Sequence, residues 1–75
     1  MLKQAMRYQV RLVAALRAAR EAAGLDQVQA SLLIGGSRTL VAKIESFQRT
    51  VKAAELPVIA KAYKKDPVDL LKAML

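Results

Sequence analysis

Ser37, Arg38, Thr39 and Lys43 place two hydroxyls and two cations within about two helical turns of the glycine pair Gly35-Gly36. These groups suit recognition by hydrogen bonding. Arg38 or Lys43 can donate to guanine O6 and N7, and Thr39 offers a hydroxyl or a methyl to a base edge. Catalysis has far less to work with. The chain contains no histidine and no cysteine, so the commonest general base, the thiolate nucleophile and the usual zinc ligands are all missing. Asp66 and Asp69 resemble a carboxylate pair, but their position around Pro67 assigns them to helix capping. No catalytic residue, metal site or cofactor is expected, and the chain reads as non-enzymatic.

The charge balance points the same way. Thirteen Lys or Arg against six Asp or Glu leave +7 on 75 residues, a surface that attracts phosphate and whose binding weakens steeply with salt. A chain this short buries only about 60% of the surface its unfolded form exposes, so self-association would add to a narrow stability margin. No segment approaches the roughly 20 apolar residues of a membrane span. The longest uncharged window, Gln27 to Ser37, is broken by Gln29, Ser31 and two glycines. The basic start lacks the apolar stretch of a signal peptide, and the absence of cysteine suits a reducing cytoplasm. A soluble cytoplasmic protein without a membrane role is the expectation.

Helices must position the recognition groups, because apolar residues recur at helical spacing between Gly24, Gly35-Gly36, Pro57 and Pro67. The first helix is expected from about Met6 to Ala23, with Leu12, Leu16, Ala19 and Ala23 on one stripe and an Arg17–Glu21 pair outside. Gly24 stops it. Asp26 and Gln29 have capping-box spacing for a second helix, with Ala30, Leu33 and Ile34 inward and its end at Gly35. Ser37 is the expected N-cap of a third helix, about Arg38 to Phe47, whose inward face is Leu40 or Val41 and Ile44. So short and glycine-rich a turn forces a steep crossing, the geometry of a helix-turn-helix at about 27–46. A fourth helix follows over about Lys52 to Lys64, burying Leu56, Ile59, Ala60 and Tyr63. Pro57 requires that it begin near Ala53 or Ala54, or bend. Asp66-Pro67 opens a fifth. The whole chain, 1–75, reads as a single all-α domain.

The ordered runs Leu16 to Gln27, Ile34 to Arg38, Lys43-Ile44-Glu45, Arg49-Thr50-Val51, Glu55-Leu56, Ile59 to Ala62 and Asp66-Pro67 resemble the DNA-binding domain of the Cro/CI repressors and the wider XRE family. The resemblance is gapless over about four-fifths of the chain, and its specificity lies in the spacing rather than in any one motif. It implies a five-helix, lambda-repressor-like fold that places the second helix of its helix-turn-helix in the major groove, usually as a dimer on a palindromic operator. It also implies a phosphate clamp at Gln27 and an Arg20–Glu45 ion pair tying the first helix to the third. The chain departs from the family at Gly36, where a branched apolar residue is usual and whose absence forfeits a core contact. Ala30-Ser31, Val28 and Leu32 are further departures in the second helix.

The residues expected to bind DNA are therefore Gln27, Ser37, Arg38, Thr39, Lys43, Ser46, Gln48 and Arg49, the last three and Gln27 on phosphate. Arg7, Arg11, Lys61, Lys64, Lys65 and Lys72 read as solvated charge. Leu70, Leu71, Met74 and Leu75 cannot all face one interior, so a C-terminal homodimer contact is expected, joined by Tyr63. The functional expectation is a repressor of the phage or mobile-element type. The alternatives are an antitoxin that autoregulates its operon, with Val28 and Leu32 as a partner patch, and a protein-interaction module without specific DNA binding.

Overall fold

The computed structural model describes residues 2–75. Five α-helices make up its regular structure: α1 (Lys3–Ala22), α2 (Gln27–Ile34), α3 (Leu40–Glu45), α4 (Leu56–Ala62) and α5 (Pro67–Lys72), with a 3₁₀ turn at Ala53–Glu55 leading into α4. One core joins them. Leu12, Val13, Leu16 and Ala19 of α1 meet Ala30 of α2, Val41 and Ile44 of α3, Ile59 and Ala60 of α4, Tyr63, and Leu70 of α5.

Four of the five helices end in the same way. A residue in the left-handed region stands at or just after the cap, and the next N–H reaches back five residues to an orphan carbonyl. Gly24 (φ 75°) with Leu25 N–H on Arg20 O, and Gly35 (φ 95°) with Gly36 N–H on Ser31 O, do this at the glycines. Phe47 (φ 64°) with Gln48 N–H on Lys43 O, and Lys64 (φ 58°) with Lys65 N–H on Ala60 O, do it without one. Side chains at such φ carry a steric cost, and these two ends carry no glycine to announce them.

The capping box at Asp26 forms in both directions: Gln29 N–H donates to Asp26 Oδ1 at 2.7 Å and Asp26 N–H to Gln29 Oε1 at 2.9 Å. Asp66 accepts from Val68 N–H at 2.8 Å, with Pro67 in the first helical position. Pro57 lies in the first turn of α4, where its missing N–H costs nothing, because the 3₁₀ turn takes up the approach.

Several expectations are corrected. α1 begins at Lys3 rather than near Met6, since Gln, Ala, Met and Arg are all good helix formers. Leu33 does not point inward; it is 60% exposed. The buried arc of α2 centres on Gln27, Ala30, Ser31 and Ile34, and at ~100° per residue Leu33 falls well outside it. Tyr63 is in the core, shielded from any second chain. Of the four C-terminal apolar residues, Leu70 is buried and Met74 packs against the core, while Leu71 and Leu75 remain outward. Arg11 is not simply solvated: its Nη1 donates to Met74 O at 2.9 Å, joining α1 to the segment that follows α5.

Gly36 has a structural partner. A Cβ built there would stand 2.3 Å from Leu40 Cδ2, so the Leu40 side chain already lies across the space that a larger residue would fill. The core contact that the sequence predicts to be lost is supplied from four residues later in the chain.

Candidate nucleic-acid interface

The turn between α2 and α3 runs from Gly35 to Thr39, longer than the spacing predicts, because α3 starts at Leu40 instead of Arg38. Ser37, Arg38 and Thr39 thus precede the helix as an exposed turn, closed by Leu40 N–H on Ser37 O at 3.1 Å. Ser37 is not a side-chain N-cap. Its hydroxyl lies 3.4 Å from that of Thr39, and Thr39, the residue in the cap position, makes no side-chain cap bond either.

The cap comes from another helix. Ser31 of α2 is fully buried; its Oγ accepts the Val41 N–H at 2.9 Å and donates to Gln27 O at 2.7 Å. An unfilled first-turn N–H buried in the helix crossing would be costly, and the serine answers it from across the crossing. The small residues Ala30 and Ser31, a departure at the sequence level, let α2 and α3 approach closely enough for this bond.

The other end of α3 is bolted to α1. Arg20 Nε and Nη2 donate to Glu45 Oε2 and Oε1 at 2.7 and 3.0 Å, and Arg20 Nη1 donates to Leu25 O at 2.8 Å. Gln27 Nε2 adds a third donor to Glu45 Oε1 at 3.1 Å. Burial pushes the Glu45 carboxyl up, but hydrogen bonds from Arg20 and Gln27 outweigh it and the net shift is downward. The hydrogen bond to Glu45 raises Arg20 above its ordinary value despite the opposing effect of burial. Both groups are charged at neutral pH and fully engaged, which is the condition under which a buried pair holds a geometry.

With both ends of α3 held, its outer surface is free. Arg38 and Lys43 are exposed and take part in none of the ion pairs among the described residues, which are Arg17–Glu21, Arg20–Glu45 and Arg49–Glu55. No carboxylate occurs between Gln27 and Ile44. Ser46 and Gln48 are exposed beyond the helix, with Gln48 Nε2 donating to Ser46 Oγ at 2.8 Å.

Two of the expected phosphate contacts carry intramolecular bonds. Gln27, at the first position of α2, spends one of its two amide N–H groups on Glu45 and keeps the other. Arg49 forms a bidentate pair with Glu55, at 3.0 and 2.5 Å. Glu55 also accepts the Lys52 N–H at 2.8 Å. The Arg49 hydrogen bonds, followed by the Lys52 backbone bond, hold the Glu55 carboxyl down at about 2.

Two short helices in contact, joined by a turn that carries cations and hydroxyls at the leading end of the second, form a helix-turn-helix, the DNA-binding arrangement of the Cro/CI class. The profile of a family described as helix-turn-helix domain matches residues 11–73, and the chain belongs to that family. Neither a curated protein nor a solved structure gives a match. Among the described residues no helix is long and apolar enough to cross a membrane, and no cluster of carboxylates could hold a metal ion.

Proposed function

We propose that this domain is a sequence-specific regulator of transcription, most simply a repressor that binds a palindromic operator as a homodimer in the cytoplasm or nucleoid. One observation carries the reading: α3 is locked to α2 by Ser31 and to α1 by Arg20–Glu45, while Arg38 in the exposed turn before it and Lys43 on its outer side take part in none of the ion pairs among the described residues. A rigid mount beneath free donors is what reading base edges in the major groove requires.

In this reading Arg38 and Lys43 address guanines, and Ser37 and Thr39 supplement them. Gln27, with its remaining N–H at the amino end of α2, and Ser46, Gln48 and Arg49 beyond α3 hold the phosphates on either side. Leu71 and Leu75 supply the apolar part of a dimer contact, and the two-fold axis sets half-sites about 34 Å apart. The domain has no catalytic role in this scheme.

The test is selection from a random duplex library with the wild-type chain and Arg38→Ala in parallel, followed by a salt series on the enriched site. A palindromic consensus that the variant loses at one position supports the reading. Weak, salt-sensitive retention without any consensus overturns it and leaves DNA as a charge effect.

A further inference from the structure

We propose that the groove between the carboxyl end of α2 and the outer side of α4 binds an acidic segment of another protein, anchored by a large apolar side chain. Leu33 and Val58 form its walls, Ala62 lines it, and Lys61 and Lys64 stand at its rim; together they enclose about 580 Å³. This groove contains none of the residues proposed to contact DNA, although its wall residue Val58 also lines the neighbouring cavity that Ser37 and Arg49 border. It lies at the far end of α2 from Gln27, and none of its residues belongs to α3 or the turn before it.

Three observations select the occupant. Leu33 and Val58 are 60% and 50% exposed although each is a large aliphatic side chain, and Leu32 beside them is 58% exposed. A phosphate backbone has nothing apolar to bury against such a surface, whereas an amphipathic protein segment does. Lys61 and Lys64 make no ion pair among the described residues, and no carboxylate lines the groove. A partner therefore meets two uncompensated cations flanking an apolar slot, which matches carboxylates flanking an apolar anchor. A second copy of the chain is disfavoured on the same ground, because a two-fold contact through this groove would set Lys61 and Lys64 against their own equivalents in a chain of charge +7.

The proposal is tested with a displayed library of random 12-residue peptides selected on the wild-type chain. Enriched peptides are then titrated by fluorescence anisotropy against wild type, Leu33→Ser, Lys61→Glu and Lys64→Gln. Both wall and rim positions are exposed, and unchanged far-UV circular dichroism and urea midpoint confirm that each variant folds. The expected result is peptides carrying two or more Asp or Glu around one or two large apolar residues, bound at least tenfold more weakly by Leu33→Ser and by Lys61→Glu, with affinity falling as salt rises. Peptides without acidic enrichment, or equal affinity for wild type, Leu33→Ser, Lys61→Glu and Lys64→Gln, overturn it. So does a concentration-dependent dimer in sedimentation velocity that Leu33→Ser abolishes, which makes the occupant a second copy. A tenfold loss of duplex affinity in Lys61→Glu, with peptide binding unchanged, assigns the lysines to nucleic acid and equally overturns it.

Discussion

Ser31 Oγ and the Val41 N–H, on different helices and 2.9 Å apart, make the bond that starts α3. The hydroxyl does for Val41 what a local N-cap would do, and it simultaneously satisfies its own donor on Gln27 O. The helix crossing and the helix start are therefore one feature. Ser31→Ala removes the acceptor and leaves the N–H unsatisfied in a buried place, so we expect a loss of about 1–3 kcal/mol. Urea unfolding followed by circular dichroism measures it, and Ser37→Ala, which removes no cap bond, is expected to change stability by less than about 0.5 kcal/mol.

The Arg20–Glu45 pair is nearly out of solvent, with side chains 10% and 6% exposed. Breaking it from one side strands a buried charge. Arg20→Met or Glu45→Leu alone should cost about 3–5 kcal/mol, a large part of the whole stability of a domain this small. The double variant should recover most of that loss. Additive losses in a double-mutant cycle would show that the pair contributes no coupling.

Lys64 occupies the left-handed position after α4 without being a glycine. Lys64→Gly removes the steric cost, though it also frees the unfolded chain, for a net gain of about 0.5–1 kcal/mol. Gly24→Ala should move the other way by a similar amount, since the backbone there has φ 75° and no space is lacking. Thermal denaturation of both variants decides.

Stability should depend on pH at both extremes. Glu55 is held at about 2 against an ordinary 4.5, so its contribution is complete above 4.5 and disappears as pH falls toward 2. Glu45, also lowered, acts in the same direction. Tyr63 is pushed up from 10.0 to about 12, first by burial and then by the Glu45 charge. Its contribution is complete below 10 and is lost as pH rises toward 12. Urea midpoints across pH should form a plateau from about 5 to 9, and Tyr63→Phe should weaken the alkaline fall without moving the acid one.

Arg49 is balanced by Glu55, which competes with any phosphate for the same guanidinium. Glu55→Gln should free that charge, tighten duplex binding and steepen the dependence of log K on log salt by about one. Arg49→Ala should make the slope shallower. A salt titration of the three proteins on one duplex is the check.

Much of this architecture is decided locally, and those parts were legible in the residues. The number of helices, the capping box at Asp26 and the N-cap at Asp66, the stops at Gly24 and Gly35 and the placement of Pro57 depend on groups only a few residues apart. The Arg20–Glu45 pair was legible through family resemblance rather than through spacing, since 25 residues of chain separate its members.

What the residues left open, tertiary packing settled. α2 spreads its apolar residues around its axis, with Gln27 and Ser31 on the buried side, so its pattern had no direction, and only packing against the other helices set Ser31 inward and Leu33 out. The left-handed ends at Phe47 and Lys64 carry no glycine signal, although each is closed by a backbone bond reaching back five residues, Gln48 N–H on Lys43 O and Lys65 N–H on Ala60 O. Sequence alone determined that this chain is a small basic helix-turn-helix domain, because caps, stops and periodicity act over short range. Which hydroxyl caps the recognition helix, which cation is already paired and which leucine faces water were decided only when distant segments met, because each depends on a partner that local sequence does not contain.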